Sequence, residues 1–115
     1  MKEYLFSYGT LQKDKTQLDL FGRLLKGSKD VLKGYKILPI EIRDEVFLSK
    51  GEDRLQKIAV ATKNTGDSIG GTVFEVTADD LLFADKYEPA DYLRVKVKLE
   101  SGIDAWVYAG AIMTT

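Results

Sequence analysis

The chain has 115 residues, the size of one domain with a single closed core, and its 44% hydrophobic and 30% charged content excludes a disordered chain. A net charge of −1, from 17 basic and 18 acidic residues spread along the whole length, leaves no electrostatic footprint for nucleic acid or anionic lipid. Cysteine and histidine are both absent, so disulfides, thiolate nucleophiles, cysteine-ligated zinc and serine–histidine pairs are excluded, and acid–base chemistry falls to Asp, Glu, Lys or Tyr.

The start, Met1-Lys2-Glu3, runs straight into an apolar stretch, Tyr4-Leu5-Phe6-Ser7-Tyr8-Gly9-Thr10-Leu11, that breaks at one glycine. The pattern predicts a buried strand feeding a tight turn. Gly9 either takes a positive φ or leaves the backbone open to a ligand, since no Cβ stands in the way. Backbone N–H groups at Gly9, Thr10 and Leu11 bind a carboxylate or an oxyanion if they converge, although a plain strand end with a loop glycine has the same sequence. No cleavage site follows, and no run approaches the roughly 18 apolar residues of a membrane span, so the expected location is cytoplasmic.

Leu18, Phe21, Leu24 and Leu25 then recur at helical spacing, predicting a short amphipathic helix ended by Gly27. The glycines of Gly22-Arg23-Leu24-Leu25-Lys26-Gly27-Ser28-Lys29 are spaced as in a phosphate loop. The final Lys and Ser are reversed and no strand precedes them, which argues against nucleotide binding. Val31 to Ile42 reads as one bent strand or two short ones, interrupted at Gly34 and Pro39. Arg43 to Arg54 is charged around Val46-Phe47-Leu48 and closes with turn residues at Lys50-Gly51-Glu52-Asp53. Strand signals at Lys57–Thr62 and Ile69–Val76, separated by Asn64-Thr65-Gly66-Asp67, suggest a β-hairpin, with Gly70-Gly71 marking a bulge or a close backbone approach. Thr77 is a helix cap followed by Asp79 and Asp80, with Val76 placed to pack on Leu81, and Pro89 stops the helix near Tyr87-Glu88. Asp79, Asp80 and Asp85 have no metal-loop spacing and are read as structural. Two alternating strands, Tyr92–Leu99 and Ile103–Tyr108, joined by Glu100-Ser101-Gly102, lead to a small tail after Ala109. Strands dominate without regular strand–helix alternation, which gives an α+β domain over residues 1–115 whose mixed sheet curls toward a barrel.

Glu88 is the second residue of interest. Bulky, fairly apolar neighbours at Tyr87 and Pro89 raise a carboxyl pKa if they bury it, whereas a glutamate at an exposed helix end stays solvated.

Taken together, Leu5–Leu11, the Gly71-Thr72-Val73-Phe74-Glu75-Val76 strand, Asp85-Lys86-Tyr87-Glu88, and Tyr92-Leu93-Arg94-Val95-Lys96-Val97 with Ala105-Trp106-Val107-Tyr108 resemble the gamma-glutamylcyclotransferase-like family. The motif form is most similar to gamma-glutamylamine cyclotransferases. The resemblance implies a small mixed β-barrel with flanking short helices, and a cavity where the Tyr8-Gly9-Thr10-Leu11 loop faces Glu88. It also implies an enzyme that cyclises a small gamma-glutamyl amine or amino acid to 5-oxoproline. The loop would hold the glutamyl part through backbone N–H groups and Glu88 would act as general acid and base, with no cofactor or metal. Two positions depart from the family pattern: Pro89 stands where Gly is usual after the glutamate, and Gln12 where a basic residue is frequent after the loop leucine. The alternatives are a non-catalytic module that binds a carboxylate metabolite in the same pocket and a protein that pairs through exposed strand edges. The sequence leaves open whether the chain is a monomer or a homodimer.

Overall fold

The computed structural model describes residues 2–62 and 64–110. Strand β1 (Glu3–Ser7) carries the N-terminal apolar run, and because successive side chains of a strand point to opposite faces, it contributes to two cores at once. Leu5 packs with Leu11, Phe47, Phe74, Leu81, Tyr87 and Tyr108 on the helix side. Phe6 packs with Leu32, Ala59, Ile69, Val73 and Val107 on the other.

The remaining strands are β2 (Gly27–Lys33), β3 (Tyr35–Glu41), β4 (Leu55–Ala61), β5 (Ser68–Val76), β6 (Tyr92–Lys98) and β7 (Asp104–Gly110). β1 runs antiparallel to β5, from Glu3↔Val76 to Ser7↔Thr72, and β5 runs antiparallel to β2. On its other edge β1 lies parallel to β7 at Leu5↔Trp106 and Phe6↔Val107. Further along, the same edge of the sheet passes to β4, parallel to β7 at Ala59↔Ala109, and β3 completes that side as the antiparallel partner of β4. β6 and β7 form the expected hairpin. The sheet is mixed and curled into a half-barrel, as the sequence predicts. The curl brings the β6–β7 turn back to β2, where Glu100 N–H donates to the Val31 carbonyl at 2.8 Å and the Ser101 hydroxyl donates to the buried Asp30 carboxylate.

Three short helices flank the sheet: α1 (Asp14–Phe21), α2 (Glu45–Leu48) and α3 (Ala78–Tyr87). α3 begins as expected. The Thr77 side chain accepts Asp80 N–H while the Asp80 carboxylate accepts Thr77 N–H, a reciprocal cap that satisfies two otherwise orphaned donors. Val76 and Leu81 share the helix-side core. No described helix is long and apolar enough to cross a membrane.

Three local expectations are corrected. α1 ends at Gly22, whose φ of +72° forms a left-handed cap, and not at Gly27, which opens β2. The helical spacing of Leu24 continues past a helix that has already stopped. Leu18 and Leu24 are accordingly 51% and 54% exposed, while Thr16 and Gln17 are buried. The charged stretch after Arg43 contains α2, capped by Asp44, whose carboxylate accepts Val46 N–H and Phe47 N–H at 2.9 and 3.2 Å. Finally, β4 and β5 do not form a hairpin. The β2–β3 corner at Gly34, φ +81°, sits between their ends, donating to the Asp67 carbonyl at 2.8 Å and accepting Thr62 N–H at 2.7 Å. Gly71 proves to be a close approach to β1 and neither glycine a bulge, because the β2–β5 register runs through Asp30↔Gly71 and Val31↔Gly70 without an extra residue, while Gly70 has open space around it. The tail from residue 111 onward lies outside the described residues.

Candidate active site

The segment after β1 turns through Tyr8 and Gly9 into a single 3₁₀ turn, Thr10–Gln12. Gly9 has φ −139°, so a left-handed backbone is not what it provides. Nothing lies within 4 Å of where its Cβ would stand, and the backbone there is open. Gly9 N–H donates to Ser7 Oγ at 3.3 Å, whereas no acceptor among the described residues takes the N–H of Thr10 or Leu11. These are the first donors of a helical turn, which that turn cannot itself satisfy.

Two glutamines brace the turn. Buried Gln17 of α1 donates to the Leu11 carbonyl at 2.8 Å and accepts Leu25 N–H at 2.9 Å. Gln12, at the position where a basic residue was expected, places its carboxamide 3.4 Å from the Gly9 carbonyl and accepts the Thr72 hydroxyl at 2.9 Å, fastening the turn to β5.

Tyr8, Gly9, Thr10 and Leu11 line one pocket, partly open to solvent, and Glu88 lines it too. α3 delivers this glutamate: its last residue is Tyr87, and Glu88 leaves the helix in an extended conformation, φ −73° and ψ 135°, as a residue before proline must. Pro89 is fully buried and lines, with Glu88, Tyr92, Arg94 and Tyr108, a broader and more open groove. Glu88 therefore borders two cavities.

Its carboxyl accepts no hydrogen bond from a described residue. Burial, and secondarily the negative charge of Glu52, pushes its pKa up to about 8. The bulky, apolar surroundings expected from Tyr87 and Pro89 are present, and the second carboxylate is an addition that sequence reading missed. Missed as well are the tyrosines that wall the site. Tyr92 and Tyr108 come from β6 and β7, and their hydroxyls are engaged, Tyr92 with the Lys57 carbonyl at 2.8 Å and Tyr108 with the Asp85 carboxylate at 2.6 Å. Tyr8 donates to the Tyr108 carbonyl at 2.6 Å and accepts Ala59 N–H at 2.9 Å. Burial holds the phenol pKa values of Tyr8, Tyr92 and Tyr108 above the ordinary value, so all three are neutral near pH 7.

Two of the three acids read as structural, Asp80 and Asp85, prove to be paired. Asp80 takes two hydrogen bonds from Arg23, at 3.0 and 2.6 Å, and Asp85 takes two from Arg94, at 2.7 and 3.0 Å. Among the described residues no three carboxylates gather as a metal-ligand set.

No curated protein matches the sequence. Solved structures match its fold over nearly the whole chain. An Arabidopsis thaliana protein solved in solution superposes with a TM-score of 0.74 at 20% identity, over 99% of this chain and 72% of its own. A protein described as gamma-glutamyl cyclotransferase gives 0.70 at 14%, over 96% and 68%. An AIG2-like protein from Mus musculus gives 0.66 at 21%, over 98% and 80%. At these identities the structures speak for the fold, and the chain is shorter than each of them. The sequence itself carries the stronger statement, because the model of the family described as "Gamma-glutamyl cyclotransferase, AIG2-like" matches residues 5–112. The chain belongs to the gamma-glutamyl cyclotransferase, AIG2-like family.

Proposed function

We propose that this chain cyclises a gamma-glutamyl amine or amino acid to 5-oxoproline, with Glu88 as general base and then general acid. Family and fold support a cyclotransferase-type role in general terms. The observation that carries the specific reading is a half-buried carboxyl without a hydrogen-bond partner, its pKa raised by burial, lining the same pocket as a turn with unclaimed N–H groups.

In the proposed reaction the Thr10 and Leu11 N–H groups hold the glutamyl part. Glu88 takes a proton from the α-ammonium, the freed amine attacks the γ-carbonyl of the same molecule, and a five-membered lactam closes. The C–N bond to the leaving amine breaks as Glu88 returns the proton to it, and the second proton shed by the attacking nitrogen as it becomes the lactam N–H leaves with the released amine as its ammonium form. No protein nucleophile is needed, which suits a chain without Cys or His. Folding the glutamyl chain into a near-attack shape supplies several kcal/mol of the barrier reduction. A positioned base contributes about 10²- to 10⁴-fold.

The test is mass-spectrometric detection of 5-oxoproline after incubation with gamma-glutamyl amino acids, gamma-glutamyl-ε-lysine and glutathione. Glu88→Gln keeps the shape and removes the base, and it is expected to reduce turnover by about 10²-fold or more with folding retained. Equal activity in parent and variant would end the assignment.

One observation favours a second reading, a binding module. A carboxyl with a pKa near 8 is mostly protonated at pH 7 and donates a hydrogen bond to a carboxylate ligand. That reading predicts saturable binding of such a ligand and no 5-oxoproline.

A further inference from the structure

Glu52, a carboxylate with no part in the reaction written above, lies against Tyr87, the neighbour of Glu88 in the chain. It follows Gly51, whose φ of +84° turns the chain after α2, and only 10% of its side chain is exposed. It accepts the Tyr87 hydroxyl, and the Lys13 ammonium lies 3.9 Å from it. Tyr87 is the residue before Glu88, and its hydroxyl lies 3.4 Å from that of Thr10 in the candidate binding turn. Its ring is gripped between Phe47, edge-on with centroids 5.4 Å apart, and the Lys50 ammonium at 5.0 Å. One side-chain chain, Glu52–Tyr87–Thr10, thus ties together the loop after α2, the end of α3 and the 3₁₀ turn.

Resting on the cyclisation reading, we propose that Glu52 is a positioning residue of this site: through the Tyr87 hydroxyl it fixes the peptide bearing Glu88 against the Thr10 turn, and it sets a second negative charge against the residue next to Glu88. The other groups around Glu88 do not duplicate that charge. Tyr8 just after β1, Tyr92 of β6, Tyr108 of β7 and Tyr87 itself are held neutral by burial. Asp85 of α3 is neutralised by the two hydrogen bonds from Arg94 of β6, and Lys57 of β4 is the cation on the pocket wall. Asp91 lies in the turn before β6. The consequence for a general base is direct. Beside Glu52 an ionised Glu88 is destabilised, so it is a stronger acceptor for the substrate's ammonium proton and holds that proton until the amine leaves.

The experiment compares the parent with Glu52→Gln, Glu52→Asp and Tyr87→Phe. Gln keeps the shape and an acceptor for Tyr87 but loses the charge. Asp keeps the charge with a shorter reach, and Phe keeps Glu52 but cuts the tie. The Glu88 side chain is followed by 13C NMR in glutamate-labelled protein, assigned with Glu88→Gln, so the titration is read without substrate. Glu52→Gln is expected to lower the Glu88 midpoint, and with it the acid limb of kcat/KM, by at least about half a pH unit. Glu52→Asp is expected to restore the limb. Tyr87→Phe is expected to lower kcat about tenfold with a smaller change in the limb.

An unmoved Glu88 midpoint in Glu52→Gln overturns the proposal, as does a Tyr87→Phe variant with parental kcat. A shifted midpoint in proteins that release no 5-oxoproline retains the action of Glu52 on Glu88 and overturns the cyclisation reading instead. Should Glu52→Gln fail to fold, Tyr87→Phe and Glu52→Asp still decide the question by their kcat and limb.

Discussion

Glu88 carries two opposite dependences on pH. In the proposed role of base it must be ionised, so kcat/KM for the proposed cyclisation is expected to rise with pH and level off above about 8, the value to which burial and Glu52 push it. As a folded-state group its pKa lies above the ordinary 4.5, so its stabilising contribution is complete below about 4.5 and is lost as pH rises through about 8. Glu88→Gln, uncharged at every pH, is therefore expected to match the parent in thermal stability near pH 4 and to exceed it by a few kcal/mol at most near pH 9. Melts at the two pH values check this, and a constant difference would mean a solvated carboxylate. The sequence made half of this legible. Pro89 places Glu88 just past a helix end and Tyr87 supplies bulk, both local facts. Glu52 and the tyrosine walls come from other elements, and nothing in the spacing of the chain announces that they meet.

α3 is the element that holds Glu88 in place, and its start is the best-specified point in the chain. Thr77→Ala removes the side chain that receives Asp80 N–H and is expected to cost about 1 kcal/mol, measured by denaturant unfolding. Asp80→Ala is expected to cost more, about 2–3 kcal/mol, because the same carboxylate takes both Arg23 hydrogen bonds and Thr77 N–H. Arg23 first, then Thr77, holds the Asp80 pKa below its ordinary value despite burial. Its contribution is therefore present above about 3.8 and is lost as pH falls through the folded value, so the difference between Asp80→Ala and the parent should shrink in acid. Caps are legible because all their atoms lie within four residues of each other. The end of α1 was misread for the complementary reason. Leu24 and Leu25 keep the helical spacing, yet Gly22 takes the left-handed turn first, and a periodicity carries no information about where a glycine stops it.

Across the whole molecule, strand existence was legible and strand partnership was not. Each of β4 and β5 has the composition of a strand, and turn residues lie between them, so local reasoning pairs them. The Gly34 corner between their ends and the long-range pairings with β1, β2, β3 and β7 decide otherwise. Gly71 records that packing in one residue. A Cβ there would stand 2.4 Å from the Ser7 carbonyl oxygen and 2.8 Å from the Phe6 ring. Gly71→Ala is expected to cost about 1–3 kcal/mol and to displace β1 where it enters the candidate binding turn, seen as a lower unfolding midpoint together with a raised KM. The Tyr8 hydroxyl has a similar reach: one oxygen atom joins the turn after β1 to two strands, β7 through the Tyr108 carbonyl and β4 through Ala59 N–H. Removing it leaves two buried main-chain groups unsatisfied, at roughly 1–3 kcal/mol each. The floor of the pocket is thus also a joint of the scaffold, and it is closed to variation. If the proposed cyclisation holds, an altered leaving-group preference in engineered variants is therefore expected to come from Gln56, Lys57 and the groove lined by Pro89, where a side chain can change without parting the sheet.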